Sequence, residues 1–594
     1  MYIDKIPNRN SPPAILLRES SRVGGKTVKK TLANLSALPE EAIVALRIIL
    51  KGETLLPSNH YAVERSLPCG HVRAITLAMD RLGMTELIAS KPSRERNLVS
   101  AMLAQRILRP GSKLETGALF TDTTIAQAFN VEGVDENDLY AAMDWLLEHQ
   151  PFIEKKLAKR HLDEGSMVFY DVSSSSYYGS HCPLAVRGKN RDGLKLSCIV
   201  YGLLTDRDGR PVAIRVYPGN TGDPATVPDQ IQTLRKEFGI GQLVVVGDRG
   251  MLTQPQIEKL RSVDGCGWIS CLRSSDIFTL LKTHDPSDAP LFTSRNIAEI
   301  THPDFEGERL IACYNPLLAQ DRERTRNELL DCTEALFKKL EKEVGRRTKK
   351  LLSASEIGLK AGVILKKYKV GKHFSLTIRD SHISWTRRTE KIAREKSLDG
   401  IYVIRTSEQS DVLSTADAVK AYKRLGNVEK AFRTLKGVDL SIRPIHHRLE
   451  TRVRAHVFLC MLAYYIEWHM RQALAPLLYA EENLEAERVA RDPVAQAKPS
   501  RNSQTKRQTK CSQDGQPIRR WDGLLQALST ITDNVCRIGE GENAIRFNRQ
   551  TELTSYQQRV FDILDQNLPL SASIKTTVPS NRNTISGSTP TSSH

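Results

Sequence analysis

Apolar and polar positions change rhythm several times along this chain. Residues 13–35 alternate short β-like runs, Ala14 to Leu17 and Thr27 to Leu35, around Gly24-Gly25. From about Leu67 to Leu162 the apolar positions recur at helical spacing, first through Val99, Met102, Leu103 and Ile107, later through Leu139, Met143, Leu146 and Leu147. Pro110-Gly111 is a stop between them, and Asp135 or Asn137 can cap the later helix. Near Ser166 the texture becomes strand-like. Met167–Val172 predicts a buried strand, and Leu196–Leu204 with Val212–Tyr217 predicts a hairpin turning at Gly209. A helix over about Thr226–Phe238 precedes Leu243–Val246, a run of β-formers that ends at Gly247-Asp248. Residues 275–400 break the pattern with a charged helix, about Asp321–Val344, and short strands such as His373–Ile378. Strand texture resumes at Gly400–Arg405 and is followed by helices over about Ala416–Lys436 and Thr451–Leu474. Trp521–Ile531 predicts one further helix.

These changes predict a multidomain α/β protein. Its parts are a small β-containing segment (1–66), a helical DNA-binding or dimerisation region (67–165), an α/β core in two pieces (166–274 and 400–478) around an α+β insertion (275–399), a basic linker (479–515) and a partly disordered C-terminal region (516–594). The stretch from Pro493 to Gln513 carries five Lys or Arg and no acid, so it reads as a flexible basic linker.

Charge sharpens this picture. Lys and Arg total 86 against 69 Asp and Glu, and the surplus of +17 is spread along the chain, as suits a protein working on a polyanion. A basic protein with no nucleic-acid role is the plainer alternative. The ten cysteines form no CxxC pair, and Cys69 with His71 lacks a second pair for a structural zinc, so a reducing, cytoplasmic setting is expected. Met1–Asn10 has no apolar core of a signal peptide, and the longest apolar run, Val457–Ile466, is about half a membrane span. Gly25-Lys26-Thr27 is not a P-loop, because Ser20 stands where that loop needs glycine.

Three acids stand out. Asp171 follows an apolar run in Phe169-Tyr170-Asp171-Val172-Ser173, and Asp248 follows another in Val244-Val245-Val246-Gly247-Asp248. Groups at the carboxyl ends of strands in an α/β sheet face a common crevice. On the helix over Ala416–Lys436, Leu425, Val428, Phe432 and Leu435 form an apolar stripe about 80° wide, with Tyr422, Glu429, Arg433 and Lys436 on the adjacent stripe. Converging carboxylates suit two hard cations such as Mg²⁺ or Mn²⁺, which serve phosphodiester chemistry. Strand-end caps and an ordinary Glu429–Arg433 surface pair are the competing explanations.

These residues resemble the insertion-sequence transposases with an RNase H-like DDE catalytic domain. Tyr422, Glu429 and Lys436 fit that family's Tyr-x2-Arg-x3-Glu-x6-Lys signature, while Leu425 replaces its arginine, with Arg424 one residue early. Tyr170-Asp171-Val172-Ser173 and Gly247-Asp248-Arg249-Gly250-Met251 resemble the two aspartate motifs, and Pro218–Asp223 the loop between them. The long gap before Glu429 suits the branch whose catalytic domain is split by an insertion. The resemblance implies catalytic, metal-holding Asp171, Asp248 and Glu429. It also implies two Mg²⁺ or Mn²⁺ ions per site and end-DNA contacts from Tyr422 and Lys436, with Arg433 and Arg249 beside them. It further implies binding of terminal inverted repeats and target DNA by a homodimer, in a bacterial, nucleoid-associated protein away from any membrane. An aromatic of the insertion, Trp385, is a candidate for stacking on a flipped base. A structure-specific nuclease on the same scaffold, or a domesticated DNA-binding derivative, are the rival readings. By helical angle Leu425 sits at the seam between the two stripes, at the helix margin, so Arg424 or Arg433 is expected to supply part of the missing charge and Leu425→Arg to be tolerated.

Overall fold

The computed structural model describes residues 1–9, 12–53, 61–283, 296–347, 351–483, 486–487, 492–494, 499–539 and 544–570. The disorder expected of the last twenty or so residues falls outside these. The chain divides into two units, Met1–Pro68 with Ile531–Glu552, and Cys69–Thr530 with Leu553–His594.

In the first unit, β1 (Tyr2–Ile6), β2 (Ala14–Val23) and β3 (Lys26–Asn34) form an antiparallel sheet in that order. After α1 (Glu40–Leu50), β4 (Tyr61–Pro68) pairs with Thr532–Ile538, and that strand pairs with Ile545–Gln550. No continuity of apolar pattern links these segments, so their pairing was invisible in the sequence.

The second unit begins with helices α2 (Gly70–Arg81), α3 (Met84–Ile88), α4 (Arg94–Leu108), α5 (Lys113–Asp122), α6 (Ile125–Phe129) and α7 (Glu136–His161). Their starts obey local chemistry. Ser93, Ser112 and Asp135 each accept a backbone N–H in the first turn of α4, α5 and α7, and Asp138 completes a capping box on α7.

The central sheet follows, in the order β10-β11-β14-β9-β8-β5-β6-β7. Its members are β5 (Ser166–Ser176), β6 (Cys198–Thr205), β7 (Pro211–Pro218), β8 (Leu243–Val246), β9 (Cys266–Cys271), β10 (Ile297–Ile300), β11 (Arg309–Tyr314) and β14 (Ile401–Thr406). β8 runs parallel to β5 and β9, and all other neighbours are antiparallel. An antiparallel meander, β5 to β7, joined to parallel β8 and β9 is consistent with an RNase H-like core. Helices α8 (Val227–Gln232), α9 (Gln254–Arg261) and α10 (Ser274–Thr283) connect and follow these strands.

Two expectations need correction. The insertion was expected to stand apart over 275–399, yet β10 and β11 extend the central sheet through β14. Leu310, Ile311, Ala312 and Cys313 are all fully buried, so this strand needs cover on both faces and finds it there. The rest of the insertion has its own core. Helices α11 (Pro316–Arg346) and α12 (Ala354–Lys367) pack with β12 (Phe374–Arg379) and β13 (His382–Arg387) around Phe337, Leu340, Ile357 and Phe374, and α13 (Thr389–Lys396) follows. The basic linker is also partly built. Arg501–Thr509 is helical, and the buried Lys506 ammonium donates to the Ala475 carbonyl at 2.9 Å and pairs with Glu482.

Two long helices close the unit, α14 (Thr415–Lys436) and α15 (Glu450–Ala473). α15 packs against α4, α7 and β7 and is buried along most of its length, which explains its apolar run. No helix is long and apolar enough to cross a membrane among the described residues. A buried ion pair fixes α7 to β7, where Glu154 receives Arg215 Nη1 at 2.5 Å and the Ile214 N–H at 3.0 Å.

Glu467, also on α15, has no exposed side-chain surface. Arg471 Nε donates to its Oε1 at 2.5 Å, and its Oε2 is unpartnered. Burial chiefly, with Asp439 adding and Arg471 opposing, lifts its pKa from 4.5 to about 7. A carboxyl raised on folding costs stability above its unfolded pKa, and the cost disappears as pH falls below it. Glu467→Gln should therefore stabilise the protein at pH 8 by on the order of 3 kcal/mol, with the gain shrinking toward pH 4. Denaturant unfolding at both pH values checks this; a gain independent of pH would show that the Glu467 pKa does not rise on folding.

Candidate active site

The register of β5 against β8 places the two aspartates. Phe169 lies opposite Val246 in parallel pairing, so two residues further on Asp171 and Asp248 stand abreast where β8 ends. Neighbouring strands are about 4.8 Å apart, which brings their side chains to one crevice. The Asp248 Oδ1 accepts from the N–H groups of Gly250 at 3.0 Å and Met251 at 2.8 Å, which tightens the turn leaving β8. The Asp171 Oδ1 accepts from the Val172 N–H at 2.7 Å.

Asp171 was expected to end its strand, but β5 runs on to Ser176. The serines that follow remain paired with β6, from Ser173 opposite Tyr201 to Ser176 opposite Cys198. Their hydroxyls are satisfied inside: Ser175 Oγ and the Tyr201 hydroxyl are 2.7 Å apart, and Ser174 Oγ donates to the Lys189 carbonyl at 3.1 Å. Asp171 is thus mid-strand toward β6 and a strand-end residue only toward β8.

Glu429 comes from α14, which packs across β5. The helix starts at Ser414, whose Oγ accepts the Asp417 N–H at 3.1 Å. Val428, Phe432 and Leu435 are buried on the sheet side and Glu429 is exposed at the margin. The β6–β7 turn fixes the helix nearby. Gly209 has φ +89°, and a Cβ there would lie 2.9 Å from Asn427 Cβ, so both its conformation and its space require glycine.

The carboxylates share one electrostatic environment. Burial first, then the negative charges of Asp248 and Glu429, push Asp171 up to about 7, against the opposing Val172 N–H and Arg191. Among the described residues no three His, Cys, Asp or Glu side chains are gathered at metal-ligand spacing. The donor chemistry nonetheless fits a hard cation, since all three groups are carboxylates and their mutual repulsion is what a divalent ion relieves.

The flanking residues fall into two groups. Arg249 and Arg433 are exposed. Tyr422 is largely buried, which raises its pKa, beside the Cys271 thiol, Asp248 and Arg249. The Lys436 ammonium is engaged internally, donating to the Ser174 carbonyl and to Asp192 Oδ1 at 3.4 Å. Sequence reasoning missed Arg191, Asp192 and Arg443. Arg191 pairs with Asp223 at 2.7 Å, and Asp192 receives Arg443 at 2.7 Å. They sit in irregular loops where no periodicity marks them.

From Arg249 a cleft of about 870 Å³ opens between the core and the insertion, lined among others by Phe278, Arg322, Tyr368, Lys372 and Arg394. Trp385 does not line it. That ring stacks on Phe337, centroids 5.4 Å apart, against the insertion's own core.

Residues 179–466 match the family described as the transposase DDE domain. The chain carries a DDE transposase domain. The match spans Asp248 and Glu429 and begins just beyond β5, so Asp171 lies outside it and is brought beside Asp248 by the strand register. No curated protein matches the chain.

Within this DDE domain the departure at Leu425 takes a different form from that expected. Leu425 is 7% exposed and belongs to the sheet-facing side of α14, not to its margin. Arg424 faces Asp208 of the β6–β7 turn at 4.0 Å. Leu425→Arg should accordingly cost about 1–3 kcal/mol, because the longer side chain must displace packed neighbours or swing its charge out. A denaturation midpoint equal to the parent's would return Leu425 to the helix margin.

Proposed function

We propose that this chain binds the terminal inverted repeats of an insertion sequence and performs metal-dependent strand cleavage and transfer into target DNA. The observation that carries this reading is the alignment of Asp171 with Asp248 across β5 and β8, with Glu429 within electrostatic reach, in a transposase DDE domain. Asp171, Asp248 and Glu429 would hold the Mg²⁺ or Mn²⁺ ions, which when bound activate water and stabilise the leaving 3′ oxygen.

The chain's own residues supply the rest. Arg249 and Arg433 stand exposed beside the acids and offer guanidinium groups to backbone phosphates. Tyr422, beside the Cys271 thiol, Asp248 and Arg249, contributes a hydroxyl at the edge of the crevice. Lys436 contributes positive potential from its place beside Ser174 and Asp192. The cleft running from Arg249 along Arg322, Lys372 and Arg394 gives an anionic strand a path away from the acids, with Tyr368 in its lining as an aromatic for base stacking. Two copies acting on paired ends complete the scheme.

Asp171→Ala, Asp248→Ala and Glu429→Ala should each reduce Mg²⁺-dependent cleavage by more than about 1,000-fold. Binding in EDTA should persist or tighten, because each change removes a negative charge facing the phosphates. The assay is cleavage of a plasmid carrying the coding sequence with its flanking DNA. Near-parental cleavage by any one variant would remove that residue from the site.

A further inference from the structure

The β2–β3 hairpin contributes to no core. β1 pairs with β2 only from Ala14 to Arg18, so beyond Arg18 the strands continue as a bare ribbon, Glu19–Val23 against Lys26–Lys30. Gly24 and Gly25 close it at φ +56° and +82°. Every residue of β3 is exposed, and so are Glu19 to Arg22. A two-stranded ribbon with no covered face is marginally stable in water. This one also gathers Arg22, Lys26, Lys29 and Lys30 against Glu19 alone. Among the described residues the hairpin's ion pair is at its base, Arg18 with Asp4 at 3.0 Å, and the four outer cations have none. Burial and ion pairing therefore give no account of it.

Its faces are more specific than a charge count. Arg18, Ser20 and Arg22 lie opposite Thr31, Lys29 and Thr27, and paired residues share a face. That face carries cations and hydroxyls, with Asp4 its carboxylate at the base. Guanidinium, ammonium and hydroxyl donors are the groups that take phosphate oxygens and base-edge acceptors. The B-DNA major groove, about 12 Å wide, admits a two-stranded ribbon.

We propose that the β2–β3 ribbon is an element that binds double-stranded DNA, entering the major groove with its Arg22, Thr27 and Lys29 face. The inference rests on the reading of the chain as a DNA-acting protein but not on its carboxylates. The test uses the full chain in EDTA, where binding is read without cleavage. The probe is a labelled random-sequence duplex of roughly 40 bp, titrated from about 0.05 to 0.3 M NaCl.

The fourfold variant Arg22→Ala, Lys26→Ala, Lys29→Ala, Lys30→Ala should flatten the slope of log affinity against log salt by about two or more, of which about two come from Arg22 and Lys29 on the entering face. It should weaken binding at about 0.1 M NaCl at least about tenfold. Its melting midpoint should match the parent's, since the replaced side chains bury nothing. A companion variant with all three lysines changed to arginine should keep the parental slope. An unchanged slope in the alanine variant would overturn the proposal. So would an equal loss in the arginine variant, or a loss confined to a single-stranded probe. Failure here leaves the carboxylate reading standing, and Asp171→Ala should still bind the duplex through the ribbon.

Discussion

The candidate site depends on one hydrogen-bonded register, the parallel pairing of β5 with β8. Parallel strands need both faces covered, and Leu243–Val246 is buried throughout, which holds β8 inside the sheet. With Phe169 held opposite Val246, Asp171 and Asp248 are brought abreast where β8 stops. Like charges placed together and partly desolvated oppose folding, which the raised Asp171 pKa expresses. The arrangement therefore draws on stability generated elsewhere. α15, buried along most of its length, and the Glu154–Arg215 connection between α7 and β7 are such contributions.

The positive surplus is not one uniform coat. Part of it is consumed inside the fold: Lys506 under the Ala475 carbonyl, Arg326 against Asp399 at 2.5 Å, Arg405 against Glu308. Near the acids, Arg191 and Lys436 already have anionic partners. What remains in solvent includes Arg249, Arg433, cations along the cleft beyond Arg249 and the β2–β3 ribbon. A net charge of +17 thus says that a polyanion is a plausible partner, and the placement of individual cations says where it would be met.

Local signals in the sequence were dependable where one interaction decides the outcome. Leu243–Val246 is a strand, Gly209 turns the β6–β7 hairpin, and the stripes of α14 separate Glu429 from Val428, Phe432 and Leu435. The misses arise where a distant segment decides. Ser173–Ser176 lie beyond the apolar run that marks the strand, yet β6 pairs with them. β10 and β11 look like insertion until β14 recruits them to the sheet. Lys506 looks solvated until Ala475 and Glu482 close over it. Leu425 misled differently: a helical wheel gives angles but not how far the sheet and its side chains wrap around the helix. Arg191, Asp192 and Arg443 carry no periodic signal, so only the folded loops bring them beside the acids.

Those loops answer the remaining geometric question, what holds Glu429 at a fixed height above the sheet. The apolar face of α14 resists lifting but leaves sliding along the helix axis less constrained. Two polar locks resist it. On one side of Glu429, Asn427 donates to the Arg207 carbonyl at 3.3 Å and abuts Gly209, tying the helix to the β6–β7 turn. On the other side, Lys436 reaches Asp192, while the preceding residue, Arg191, reaches Asp223 beyond β7. Two consecutive, oppositely charged residues thus brace the end of α14 to the loop that leaves the meander. Asp192 Oδ2 also accepts the Ser176 N–H at 2.8 Å, which joins the brace to the end of β5, the strand that carries Asp171. The acid from the helix and the first acid from the sheet are therefore referenced to the same strand, and their separation is set by side chains that never touch either carboxylate.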